Sequence, residues 1–83
     1  MAYKVQYKRS VEKDLERLDK RDARRILDKL EKELSTHPDR HPTLKGEFAG
    51  LRKMRLGNYR VIYALLENEV LILRLENRKD VYR

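Results

Sequence analysis

Arg52, Lys53, Arg55 and Arg60 lie close together in the chain, and no aspartate or glutamate stands between Phe48 and Leu66. A guanidinium offers a planar fork of N–H donors to two oxygens of a phosphate or carboxylate. An ammonium adds a compact charge. A cluster of this kind with no interspersed acid points to an anion as its partner. Further along, Arg74, Arg78 and Lys79 add cations, and Tyr82 adds an aromatic ring able to stack on a nucleobase or to close the edge of a core.

The elements that must hold these groups are short strands. Gly57-Asn58 separates two β-rich runs and reads as a two-residue hairpin turn, since glycine takes φ > 0 freely and asparagine tolerates it. That turn pairs Leu56 with Tyr59, Arg55 with Arg60, Met54 with Val61 and Lys53 with Ile62. Opposed residues share a face and faces alternate along a strand. One face then carries Lys53, Arg55, Arg60 and Ile62, and the other carries Met54, Leu56, Tyr59, Val61, Tyr63 and Leu65. A three-residue turn at Glu67-Asn68-Glu69 places Val61, Tyr63 and Leu65 opposite Leu75, Leu73 and Leu71. It also places Ile62 opposite Arg74 and Arg60 opposite Glu76. Arg78 shares the parity of Arg74 and so the basic face. Arg55 opposite Arg60 is a like-charge pair that weakens an isolated sheet, which again calls for an anionic partner. Arg52, Arg74 and Lys79 complete the set expected to bind an anion such as RNA.

The rest of the chain reads as scaffold. Tyr3, Val5 and Tyr7 alternate within a strand over 2–7. Ser10 is placed to cap a helix bearing Val11, Leu15 and Leu18 at helical spacing. Asp19 caps a second helix to about Ser35, with Ala23, Ile26, Leu27, Leu30 and Leu34 as its apolar stripe. Its other face, from Lys20 to Lys32, interleaves cations with acids and reads as solvated. His37 precedes Pro38, which ends the helix. His37 and His41 lack a third ligand at metal-site spacing and read as ordinary loop residues, so no metal or cofactor is expected.

The 83 residues make one small domain, 1–83, with a net charge of +7 and 42% charged residues. That balance favours an acidic partner: RNA, DNA, the ribosome or an acidic protein. The absence of cysteine excludes disulfide and thiolate–metal frameworks and fits a reducing compartment. No run is apolar for long enough to span a bilayer, and MAYKVQYKRS lacks the apolar core of a signal peptide, so a soluble cytoplasmic protein is expected.

The order strand, two helices and three-stranded meander, with Arg55-Leu56-Gly57-Asn58-Tyr59-Arg60-Val61-Ile62-Tyr63 and Arg78-Lys79-Asp80-Val81-Tyr82, resembles the RelE/ParE toxin superfamily of type II toxin–antitoxin systems. The likeness spans essentially the whole chain. It implies an α+β fold: an N-terminal strand, a two-helix hairpin, then a three-stranded antiparallel meander, with the helices packed on one sheet face. In the RelE branch it implies cleavage of mRNA in the ribosomal A site and neutralisation by a cognate antitoxin in a hetero-oligomer. The ParE branch shares the fold and inhibits DNA gyrase. Matched motif by motif, Arg60 falls on the arginine that contacts the scissile phosphate. Lys53 and Arg55 fall on the basic positions of the preceding strand, Arg78 on the arginine after the last strand, and Tyr82 on the C-terminal tyrosine. Many relatives read Gly-His-Arg where this chain has Glu76-Asn77-Arg78, and Asn77 cannot take a proton as an imidazole does.

Cleavage of RNA by its own 2′-hydroxyl needs that proton removed, the phosphorane charge stabilised and the 5′-oxygen protonated. Arg60 and Arg78 suit the second task. Lys53 stands among Arg55 and Arg60, a setting that favours the neutral amine and makes it a candidate base. With no Asp, Glu or His expected nearby, this is a weak acid/base set that relies on the ribosome to position the RNA. The alternatives from other classes are a ParE-like gyrase inhibitor, a catalytically degenerate binding protein of the same fold, and a plain RNA-binding domain. The lack of an RNP-type motif argues against the last.

Overall fold

A computed structural model describes residues 3–46 and 50–77. Strand β1, Lys4–Tyr7, opens the fold. Tyr3, Val5 and Tyr7 turn toward the core, as their alternation requires, while Lys4 is exposed. The amide of Lys8 still bonds across to the carbonyl of Ile72 at 3.0 Å, and helix α1, Arg9–Glu16, starts at the next residue. This abrupt passage corrects the expected cap. Lys8 occupies the N-cap position with no side-chain hydrogen bond, and Ser10 lies inside the first turn.

Helix α2, Lys20–Thr36, follows after Asp19, whose carbonyl accepts the first helical bond from the amide of Ala23 at 2.9 Å. Ile26, Leu30 and Leu34 of its stripe are buried, and Ala23 and Leu27 are half-buried. Arg25 pairs with Asp22 one turn earlier at 2.8 Å. His37, with φ of −133°, ends the helix before Pro38, and Pro38–Arg40 make a short 3-10 turn.

Strands β2, Arg52–Leu56, β3, Tyr59–Leu65, and β4, Glu69–Asn77, form the antiparallel meander. Gly57 has φ of +57° and Asn58 does not enter the left-handed region, the pattern of a turn with glycine first. The β2–β3 register is the expected one: Leu56 faces Tyr59, Arg55 faces Arg60, Met54 faces Val61 and Lys53 faces Ile62.

The β3–β4 register holds for only half its length. Arg60 faces Glu76, Val61 faces Leu75 and Ile62 faces Arg74, but Tyr63 then faces Ile72 and Leu65 faces Val70. Leu73 is the extra residue of a bulge. The turn is correspondingly tighter than expected, with the amide of Leu66 bonded to the carbonyl of Glu69 at 2.8 Å around Glu67-Asn68. The expected core positions Leu71 and Leu73 are therefore replaced by Val70 and Ile72, both fully buried. Residues 70–73 are apolar at every position, so alternation could not choose between the two parities, and one added residue inverts the face.

Strand β1 pairs in parallel with β4, giving the order β1-β4-β3-β2. The helices cover one face of this sheet. Between them lies the core of Val11, Ile26, Leu30, Leu34, Met54, Val61, Tyr63, Val70, Ile72 and Leu75. The opposite face is left to the cations. Among the described residues, no helix is long and apolar enough to cross a membrane.

Candidate functional site

Lys53, Arg55, Arg60 and Arg74 are all exposed and lie on the sheet face away from the helices, spread over the three adjacent strands β2, β3 and β4. The pleat puts them there: Arg55 is the cross-strand neighbour of Arg60, and Ile62 stands between Lys53 and Arg74. Ile62 is buried at 5% exposure yet lies outside the helix-side core, so the cations surround an apolar floor.

These cations do have an acid beside them, at the position opposite Arg60 that the hairpin register sets. Glu76 lies directly opposite Arg60, and its Oε1 accepts from Arg60 Nη2 at 2.8 Å and from Nε at 3.2 Å. The strain expected of the Arg55–Arg60 pair is thus answered within the chain. The register announced this contact in advance, because an Arg–Glu pair directly opposed in a sheet is attractive.

Arg52 belongs to a different environment. It is half-buried, with the parity of the core face, and its Nη1 donates to the carbonyl of His41 at 2.6 Å and to that of Asp39 at 3.2 Å. It ties the loop after α2 to the sheet, together with the bridge between Thr43 and Arg52 and the bond from the Leu44 amide to the Leu51 carbonyl. This strap also covers part of the free edge of β2.

His41 lies within the same tie. Its Nε2 is 3.2 Å from Glu33 Oε1, and its ring meets Tyr63 edge to face. Tyr63 donates its hydroxyl to the carbonyl of Pro38. Burial pushes the Tyr63 phenol up to about 12. Arg52 opposes the shift, and Asp39 and Glu33 add to it. Among the described residues, no cluster of three or more His, Asp or Glu is arranged to hold a metal.

Arg55 also stands at the rim of an open groove of about 590 Å³ between α2 and β2, where Lys29 and Lys32 of the helix join it. The sheet face and the helix face therefore meet through one arginine. The remaining expected site residues, Arg78, Lys79 and Tyr82, lie outside the described residues.

This architecture has known counterparts. The chain superposes on a chain of the RelBE2 toxin–antitoxin complex of Mycobacterium tuberculosis with a TM-score of 0.87 and 30% identity, covering 94% of this chain and 93% of that one. It is similar to a chain of the archaeal RelE–RelB complex of Pyrococcus horikoshii, with a TM-score of 0.73, 31% identity and coverage of 94% and 97%. The conserved hypothetical protein HP0894 of Helicobacter pylori shares the fold, with a TM-score of 0.67, 23% identity and coverage of 95% and 97%. No curated protein sequence matches significantly. The family model for the ParE toxin of the type II toxin–antitoxin system parDE matches residues 5–82. With nearly the whole chain matched, the protein belongs to the RelE/ParE superfamily of type II toxins.

Proposed function

We propose that this toxin is a metal-independent endoribonuclease that cleaves ribosome-bound mRNA in the cytoplasm and is neutralised by a cognate antitoxin. The supporting observation is the exposed set Lys53, Arg55, Arg60 and Arg74 on one sheet face, spanning three strands. The antitoxin as partner follows from the relatives, which were crystallised as toxin–antitoxin complexes.

In this reading the 2′-oxygen attacks phosphorus as its proton leaves, and the bond from phosphorus to the 5′-oxygen breaks. Arg60 and Arg55 hold the non-bridging oxygens, where charge builds. Lys53 takes the 2′-hydroxyl proton. The family resemblance gives Arg78 the role of a second phosphate contact, and Tyr82 that of a stacking group or, with water, of the acid that protonates the leaving 5′-oxygen. The ribosome supplies the RNA geometry, so free RNA is a poor substrate.

Primer extension on mRNA translated in a purified system tests this reading. The wild-type toxin gives discrete cuts within codons. The variant carrying Arg60→Ala and Arg78→Ala loses them by about a hundred-fold or more. Absence of cuts from folded wild-type toxin, or equal cleavage of free RNA, overturns the proposal.

A second reading is inhibition of DNA gyrase, favoured by the match to the ParE model over residues 5–82. It predicts loss of gyrase supercoiling with no mRNA cuts, and the same basic face then holds an acidic protein surface.

A further inference from the structure

Arg60 does not present a free fork. Its Nε and Nη2 form the edge of the guanidinium that takes two oxygens of a phosphate in parallel. Both already donate to one oxygen, Oε1 of Glu76, at 3.2 and 2.8 Å. The register holds the carboxylate there, since Arg60 and Glu76 are direct cross-strand partners.

The pair is also accessible. The Arg60 side chain is 44% exposed and that of Glu76 25%. An ion pair this exposed is weak, so a ligand can displace it. Lys53, Arg55 and Arg74, around it, make no ion pair among the described residues.

We propose that Glu76 is a resident competitor at the phosphate site, a tethered carboxylate that any phosphate must displace from the Arg60 fork. Its tether gives it a high effective concentration, so an isolated anion competes poorly. A polyanionic strand whose neighbouring phosphates also engage Arg55, Lys53 or Arg74 gains the extra contacts that overcome it. Glu76 thereby weakens every phosphate at the Arg60 fork by the same modest factor, and RNA held against the whole face has the further contacts that offset it. The inference rests on reading Arg60 as a phosphate contact and is independent of whether cleavage follows.

The test is binding by the full chain, without chemistry. The probes are inorganic phosphate and a short RNA blocked against cleavage by 2′-O-methylation. The variants are Glu76→Gln, Glu76→Ala, and each of these combined with Arg60→Ala, with folding checked by thermal melting. Glu67→Gln, an equal charge change in the β3–β4 turn, is the control.

Removing the Glu76 carboxylate tightens both probes by about five-fold, the upper range of an exposed ion pair. The gain disappears without Arg60, and Glu67→Gln does not reproduce it. Unchanged or weaker binding overturns the inference, as does a gain that survives loss of Arg60. Binding that follows this pattern in a toxin that makes no mRNA cuts refutes the proposed cleavage and leaves the role of Glu76 standing. Cuts without the pattern do the reverse.

Discussion

At the scale of single residues, the side chains that hold the loop after α2 are Arg52, His41 and Tyr63, and they are not the exposed cations. Tyr63 is fully buried and donates to the Pro38 carbonyl. Replacing it with phenylalanine leaves that carbonyl without its donor and costs about 1–2 kcal/mol in urea unfolding at neutral pH. The same tyrosine makes stability depend on alkaline pH. Its folded pKa is about 12 against an ordinary value of 10.0, so the native state keeps a proton that the unfolded chain loses. Stability is therefore full below about pH 10 and falls as pH rises toward 12, because the unfolded state binds fewer protons in that window. Tyr7 acts in the same sense: burial, its hydrogen bond to Glu31 and the charge of Glu31 all raise its pKa. The urea midpoint should fall between about pH 9 and pH 11.5, and Tyr63→Phe should flatten that fall. Arg52→Ala should lower stability by about 1–2 kcal/mol at any pH, through its lost bonds to the Asp39 and His41 carbonyls. A variant as stable as wild type would show that these bonds add nothing to the fold.

At the scale of elements, the bulge at Leu73 divides the labour of β4. On the turn side it puts Val70 and Ile72 into the core, and beyond it Leu75 lies on the core face while Arg74 and Glu76 point to the cationic face. A strand with regular alternation would bury Leu71, Leu73 and Leu75 together. Ile72→Ala should therefore cost about 2–5 kcal/mol by leaving a cavity beside Tyr63. Leu71→Ala, at a half-buried position on the other face, should cost about 1 kcal/mol or less. Denaturant unfolding of the two variants decides the register, because the alternating strand predicts the opposite order. The bulge also increases local twist, just where Arg74 and Glu76 join the cations of β2 and β3.

At the scale of the whole molecule, the helices take one sheet face and the cations the other, so a net charge of +7 is partly concentrated into a surface. If RNA tracks that surface, its affinity falls with salt by about 0.7 in log–log slope for each phosphate contacted on a single strand. Arg74→Ala should reduce that slope by about 0.7 in a salt titration with the 2′-O-methylated RNA. Lys13→Ala, on α1 behind the sheet, should leave it unchanged. The sequence by itself determined the element order, the β2–β3 register and the identity of the basic face. Each depends on local rules: a glycine turn, strict alternation and a proline that ends a helix. Only the tertiary structure decided three things. Residues 70–73 are apolar throughout, so periodicity carries no information about which of them face inward. The parallel pairing of β1 with β4 joins the two ends of the described chain, and no local rule selects that neighbour. Glu76 is separated from Arg60 by a whole hairpin, and its closure on the Arg60 fork is a contact between side chains, which spacing can permit but only packing can make.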